Sequence, residues 1–540
     1  MKRCAKSAQL DEAMRKHVRT GLYLFGFFFF LYSLTISGHF FSQDGEILYR
    51  AACSFYEGQG GAIDPLHGAE EVVGPDGRIY HIPISSWGTR TGANGREYPQ
   101  YGVGQPLLAT PLVALGRLGA RILPPSLRSS FDHVYPRFQY HSGSWPEYYQ
   151  RFTVSRLNQL VSAGTVGLLY LFLFRLWGRH FAALIAAVAY GACTAAWVQS
   201  RTFFTEPLAG FCILLAFFLA ERSRAMMQAG EADSFTRGLR RCGWSGLAFG
   251  YAILTRPDSL LFAPGLILLL VSTGAKGTWR ENLRRSFQSR ATWLRLIWFG
   301  VPVALLAAVI GWMNFQRFGG PFATGYSDQA EGVRFRLPFD GIAGFLFSPG
   351  KSIFIYSPPV LLGLFGWRRL FRDHRRLATS IVVGALCFFL FEASWQNWEG
   401  GWCWGPRHIF QLTAFLMMGV TPFFLAPAPR KRLIRMLGIP VILALGFIVQ
   451  LIGVSADFVK AIHLLSPTEI PLTIYNPAYS HLALHLRMLS RGDHDLFFLH
   501  FLFSNPPVYW IFPTLIIAGL VIFGVLLAKE LRDARWDGLV

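Results

Sequence analysis

The chain has 540 residues with 51 Lys+Arg against 31 Asp+Glu, a formal net charge of +20, yet only 15% of it is charged and 52% is apolar. Soluble domains carry roughly 25% charged residues, and here the apolar residues gather into long runs instead of recurring at helical period. This excludes a soluble multidomain enzyme, a disordered chain and a collagen-like fibre, and it predicts an all-α polytopic membrane protein.

A helix needs about 17–25 apolar residues to cross a bilayer. Runs and breakers together predict twelve spans, near 21–37, 152–174, 181–199, 205–221, 243–256, 258–272, 293–314, 353–366, 378–394, 408–427, 436–456 and 508–528. The apolar stretch Gln105 to Arg121 is short and interrupted by Pro106, Pro111 and Gly116, so it reads as a helix on the membrane surface. Twelve spans place both termini on one side. The connecting segments then form two sets, one with 30 Lys+Arg in about 98 residues and the other with 18 in about 221. The first set, with Arg240-Arg241, Arg284-Arg285, Arg368-Arg369 and Arg430-Lys431-Arg432, is cytoplasmic by the positive-inside rule. Orientation and anionic lipid thus account for the basic excess, and nucleic acid is not a predicted partner. The organisation expected is a cytoplasmic tail 1–20, a membrane core 21–366 with an outer loop 38–151, a second membrane region 367–528 with an outer loop 457–507, and a cytoplasmic tail 529–540. The N-terminal tail before the first run has the character of an uncleaved signal anchor. Seven cysteines, at 4, 53, 193, 212, 242, 387 and 403, show no CxxC pattern and read as small buried side chains.

No cytoplasmic loop exceeds about 21 residues, too short for a nucleotide-binding domain. The string from Gly344 to Ser352 imitates a P-loop, but five residues separate its glycines where the motif has four. Polar chemistry therefore belongs to the outer side, whose two long loops read as poor in helix. Asp44 and Glu46 follow the first span by about seven residues, where a carboxylate reaches a lipid headgroup and can act as a general base; capping a solvated helix is the other use of such acids. Glu206, before Pro207 at the start of the fourth span, either assists that base, holds a metal or caps its helix. Asp258 reads as the partner of Arg256. Arg201, Arg256, Lys351 and Arg407 are cations on the same face, a set that suits a lipid phosphate. The stretch 395–408, with Glu399, Trp402, Trp404 and His408, offers aromatic faces to a sugar or forms an interfacial belt. Ionisable residues avoid the middle of the spans, unlike ion-coupled transporters.

The order of these features resembles the GT-C superfamily of integral membrane glycosyltransferases, in the branch of protein mannosyltransferases and aminoarabinose transferases. The likeness covers most of the chain. It rests on Gln43-Asp44-Gly45-Glu46-Ile47-Leu48-Tyr49, Tyr101 to Leu108 with Gln105, Arg201 to Pro207, Leu254 to Asp258, Ser348 to Lys351, and Trp402 to Arg407. Where the superfamily often has adjacent acids, this chain has Asp-Gly-Glu. The resemblance implies a fold of twelve or thirteen spans with surface helices on the first outer loop. It also implies a polyprenyl-phosphate-linked sugar donor, inverting transfer on the extracytoplasmic face of a plasma (inner) membrane, and a glycan, lipid or protein acceptor. It makes Asp44 the catalytic base, with Glu46 and Glu206 as further acids. Arg256 becomes a donor-phosphate ligand beside Lys351, Arg407 and Arg201, while Tyr101, Gln105, Trp402, Trp404, Glu399 and His408 would line the sugar and acceptor site. No cofactor is required, and a divalent cation at Asp44 and Glu206 is left open, because two carboxylates without His or Cys are a weak ligand set. The alternatives are a lipid-linked oligosaccharide flippase or other transporter, and a GT-C-like scaffold without catalysis.

Overall fold

A segment inside hydrocarbon must satisfy its backbone internally, and in the computed structural model the described residues of the predicted apolar runs are mostly helical, with breaks such as 194–195 and 357–359. The structure describes residues 2–40, 42–63, 69–73, 79–83, 88–132, 145–227, 232–271, 279–326, 335–425 and 437–536; the basic run 430–432 lies outside them. Among the described residues, four helices are long and apolar enough to cross a membrane: Trp145–Trp177, Arg290–Phe318, Arg375–Ser394 and Ile511–Arg532. Shorter apolar helices occupy His180–Cys193, Pro257–Val271, Gln411–Phe424 and Ile439–Ser455. The protein is thus an all-α membrane protein, with sheet confined to two small hairpins among the described residues, Ala69–Val73 with Ile79–Pro83 and Thr89–Thr91 with Glu97–Pro99.

The helix Lys2–Leu34 packs along Arg156–Trp177 and Ile511–Trp536, and Glu206–Met227 lies against Ala232–Thr255, which in turn meets Arg290–Phe318. Small residues permit these approaches: a Cβ on Gly167 would stand 2.8 Å from the carbonyl oxygen of Gly21, and one on Gly246 would stand 2.0 Å from that of Phe299. Glu530, near the end of the last helix, accepts from Arg19 at 3.2 Å and from Thr20 at 3.2 Å, and lies 3.4 Å from His180. Both ends of the described chain therefore sit at one end of the bundle.

The segment 38–151, expected as a loop poor in helix, is not so among its described residues. It holds Gln43–Tyr56, Gly104–Ile122, Pro125–Asp132 and Trp145–Val154. Gly104–Ile122 is 19 residues long with Pro111 inside, and it packs on Gln43–Tyr56 and Trp145–Val154. Its start is pressed against the end of Ala232–Thr255. A Cβ on Gly102 would meet the Thr255 carbonyl oxygen at 2.4 Å, and one on Gly104 would meet Thr255 Oγ1 at 2.3 Å. The Tyr251 hydroxyl donates to Gly104 O at 2.7 Å. This contact sets the chain just after Tyr101 against the residue that precedes Arg256. Gly104→Ala should therefore cost roughly 1–3 kcal/mol as an overpacked contact, read as a fall in the melting temperature of the purified protein, whereas an unchanged melting curve would show that the loop rides freely over Thr255.

Candidate active site

Five chain segments end at one place. The helix Gln43–Tyr56 begins with Ser42 as its N-cap, whose side chain accepts from Gly45 N at 3.3 Å, so capping does not occupy Asp44. The Asp44 carboxylate instead accepts from the Tyr101 hydroxyl at 2.6 Å on Oδ1 and from Arg407 Nη2 at 2.8 Å on Oδ2. Burial and the adjacent carboxylate hold the Tyr101 phenol far above its ordinary pKa, so it donates.

Arg407 also gives Nε to Glu206 Oε1 at 2.8 Å, and the same oxygen accepts Arg256 Nη1 at 2.5 Å. Arg256 turns its Nε to Asp258 at 2.9 Å, confirming that pair, and stands 3.8 Å from Glu392, which lies 3.3 Å from His408 Nδ1. The result is an alternating row: Asp44, Arg407, Glu206, Arg256, then Asp258 and Glu392, closed by His408. Asp44 and Arg407 keep 14% and 12% of their side-chain surface, while Glu206 keeps none. A ligand thus meets Asp44 and Arg407 first, with Glu206 beneath as the acceptor that spaces two guanidiniums. The Arg407 guanidinium lies 3.9 Å from the Phe204 ring centroid. Backbone around Phe204 is fixed by Asn158, whose amide donates to Thr202 O at 2.9 Å and Phe204 O at 2.8 Å.

Several sequence-predicted residues stand elsewhere. Glu46 points away from Asp44: it accepts from Arg50 at 2.9 Å and from Arg151 at 2.9 and 3.0 Å, an ion pair that ties Gln43–Tyr56 to Trp145–Val154. Gln105 is buried and donates to Phe203 O at 2.8 Å, three residues before Glu206. Arg201 is buried against Asp495, donating at 2.8 Å to Oδ2 and at 2.6 Å to the carbonyl oxygen, and does not join Arg256. Trp404 is buried between Tyr356 and His485, with ring centroids at 5.0 and 4.6 Å, so its faces are spent on packing. Trp402 is 41% exposed and Glu399 is half-buried. The described cysteines are free and four of the six are buried.

Lys351 does not converge with the arginines. Its ammonium donates to Gly401 O at 2.9 Å and Cys403 O at 3.0 Å and lies 3.3 Å from Cys403 Sγ. Burial pushes its pKa down, and the partners offset part of that. Lys351 is the fastener of the 399–407 loop that carries Arg407. Lys351→Met leaves two buried carbonyls unpaired and should cost roughly 2–4 kcal/mol, visible as earlier thermal unfolding; a stable variant with weakened donor binding would instead restore Lys351 as a phosphate ligand.

Asp44 has both oxygens engaged, and Glu206 Oε2 is the buried carboxylate oxygen of the pair that accepts no hydrogen bond. Glu392 is the residue sequence reading missed as part of the row; its position in the last turn of Arg375–Ser394, an acid inside an apolar run, was the available signal.

Neither a protein-family model nor a curated protein sequence matches the chain. Among solved structures, the chain is similar to ArnT from Cupriavidus metallidurans. The apo state is 13% identical, with 97% of this chain and 75% of that one covered and a TM-score of 0.48. The form bound to undecaprenyl phosphate is 14% identical, covering 96% and 75% at a TM-score of 0.43. The oligosaccharyltransferase of Archaeoglobus fulgidus in its apo form is 12% identical, covering 87% of this chain and 56% of that one at a TM-score of 0.43.

Proposed function

We propose that the protein is a membrane glycosyltransferase of the GT-C type, moving a sugar from a polyprenyl-phosphate donor to a glycan, lipid or protein hydroxyl at the extracytoplasmic face of a plasma (inner) membrane. The observation that carries this reading is the row from Asp44 to Glu392: a partly exposed carboxylate beside a partly exposed guanidinium, at the bundle end opposite Glu530. The twelve-span topology, with both termini cytoplasmic, belongs to the same proposal.

In the reaction proposed, an Asp44 oxygen takes the proton of the acceptor hydroxyl as that oxygen bonds to the anomeric carbon. The bond from the anomeric carbon to the phosphate oxygen breaks on the opposite side, and the configuration inverts. The lipid phosphate leaves with the electron pair. Arg407 has Nη1 uncommitted to any hydrogen bond among the described residues, and it meets the charge growing on that phosphate. Arg256 has Nε, Nη1 and Nη2 all engaged by carboxylates, so it acts through Glu206, setting where Arg407 stands. An apolar groove of about 410 Å³ between Ala232–Thr255 and Arg290–Phe318, lined by Arg240, Trp244, Leu247, Trp298 and Leu305, lies toward the end of the first of these helices that is away from Arg256.

The test is transfer by protein in lipid, from a panel of radiolabelled polyprenyl-phosphate sugars to a membrane extract, with the Asp44→Asn variant alongside. Label moved to acceptor by the unaltered protein alone supports the reading. Transbilayer movement of a lipid-linked sugar without transfer would establish the flippase alternative.

A further inference from the structure

The helices Ala232–Thr255 and Arg290–Phe318 meet along a seam of glycines: a Cβ on Gly246 would stand 2.0 Å from the Phe299 carbonyl oxygen, and one on Gly250 would stand 3.3 Å from the Val303 Cα. Beside that seam their outward faces form the groove of about 410 Å³, with the small Gly243 and Pro302 in its lining. Trp244 is 62% exposed and Leu305 64%, so no described element covers it. From Trp298 to Val309 the lining runs eleven residues along one helix, about 16 Å at a rise of 1.5 Å per residue. That is about half of a hydrocarbon core roughly 30 Å thick. The groove therefore has the depth of one leaflet, and Arg240 stands at its end away from Arg256.

The polar side chains of the lining are Arg240, Trp244 and Trp298. All three are donors: a guanidinium and an indole N–H have no acceptor to offer. Arg240 and Trp244 stand four residues apart on one helix, hence on one face. Among the described residues none of the three donates a side-chain hydrogen bond, and Arg240 has no carboxylate partner. Trp293, on the same helix as Trp298, is different: its indole N–H goes to Phe287 O at 2.8 Å. Arg237, Arg284, Arg285 and Arg290 are exposed at the same end of the two helices, against the exposed acids Asp233 and Glu281. An apolar slot thus opens on unengaged donors within a positive field.

We propose that this groove binds one anionic diacyl phospholipid from the leaflet opposite the Asp44 row, with an acyl chain lying along Trp298 to Val309 and the headgroup at Arg240. The chemistry matches atom for atom. A phospholipid presents a phosphate and two ester carbonyls, all acceptors. Arg240 takes the phosphate, which a guanidinium meets with two parallel hydrogen bonds, and the indoles of Trp244 and Trp298 sit at the ester level where tryptophan gathers in membranes. The positive field favours a headgroup with net negative charge over a zwitterion. A polyprenyl phosphate has no ester carbonyl for the indoles. A partner helix, about 10 Å across, would cover Arg240 without an anion to answer it. The site lies far from Asp44 and is independent of the transferase reading; a lipid held there braces the helix that leads into Arg256.

The experiment uses the full-length protein, delipidated in detergent and titrated with phosphatidylglycerol, with phosphatidylcholine of the same chains, and with undecaprenyl phosphate. Native mass spectrometry counts the bound lipid, and brominated acyl chains locate it by quenching tryptophan. The expected result is one phosphatidylglycerol held more tightly than the rest, a rise in melting temperature on its addition, and quenching that falls in Trp244→Phe and Trp298→Phe. Arg240→Gln should weaken phosphatidylglycerol about five-fold, the worth of one arginine at a membrane surface, and leave phosphatidylcholine unchanged. Arg368→Gln, at an exposed arginine outside the groove, should change neither. Gly243→Leu puts a side chain into the slot and should weaken both lipids; Arg240 and Trp244 are exposed, so their variants fold whether or not Gly243→Leu does. Equal affinity for the two phospholipids, equal losses in Arg240→Gln and Arg368→Gln, or quenching unchanged in the tryptophan variants would overturn the proposal. Tighter binding of undecaprenyl phosphate, or a dimer that forms as phosphatidylglycerol is withdrawn, would overturn it in favour of another occupant.

Discussion

Asp44→Asn is expected to lower sugar transfer by about 10²- to 10⁴-fold, the range a positioned general base contributes, while the protein still inserts and folds. The substitution is isosteric. Asn keeps one oxygen to accept from Tyr101 but places its amide NH₂ opposite Arg407 Nη2, where the carboxylate now accepts at 2.8 Å. Arg407 retains Glu206 through Nε at 2.8 Å, and Asp44 is partly exposed, so the lost hydrogen bond should lower stability by only about 1–2 kcal/mol. The measurement is single-turnover transfer from labelled donor, with thermal unfolding on the same sample. A variant that unfolds early and has lost activity in proportion would mark Asp44 as a structural anchor of the row. One that is stable and fully active would remove it from the chemistry altogether.

The ends of this row were legible in the sequence because a bilayer confines ionisable residues to the ends of apolar runs. Asp44, Glu206, Arg256 and Arg407 each stand at such an end, and one-sided placement follows from the parity of the spans. Their order in space was not legible. A sequence shows four cations on one face but not which carboxylate each reaches, so Arg201 and Lys351 were grouped with Arg256 although Asp495 holds the first and the carbonyls of 401 and 403 hold the second. Glu46 carried a local signal that was available: Arg50 four residues on, a helical ion-pair spacing. Its second partner, Arg151, is 105 residues away and has no sequence mark. The hairpins between residues 69 and 99 are short and without apolar alternation, and the helices within 38–151 are amphipathic, weaker in a hydropathy reading than any span.

Arg256→Ala is expected to cost about 3–5 kcal/mol of stability, the penalty for removing one partner of a buried ion pair, and it should exceed the cost of Arg407→Ala. Arg256 faces three carboxylates, Glu206, Asp258 and Glu392, whose side chains keep 0%, 13% and 3% of their surface. Deleting it leaves all three within a few ångströms of one another with His408 and Arg407 to answer them. Arg407 faces two, and without it Glu206 still has Arg256 while Asp44 still has Tyr101 and some water. The two variants therefore separate holding the site from binding the donor. Arg256→Ala should fail chiefly in thermal unfolding and in recovery from the membrane, with donor and acceptor KM moving together in whatever folds. Arg407→Ala should unfold close to the unaltered protein yet lose donor affinity and turnover, because the phosphate of the donor meets its Nη1. Arg256→Lys tests the geometry within the charge: an ammonium cannot reproduce the fork that joins Glu206 to Asp258, so it should recover part of the stability and little of the turnover. If Arg256→Ala instead melts normally and raises the donor KM alone, then Arg256, and not Arg407, is the residue that receives the phosphate, and the carboxylates around it must be reorganised by the donor on binding.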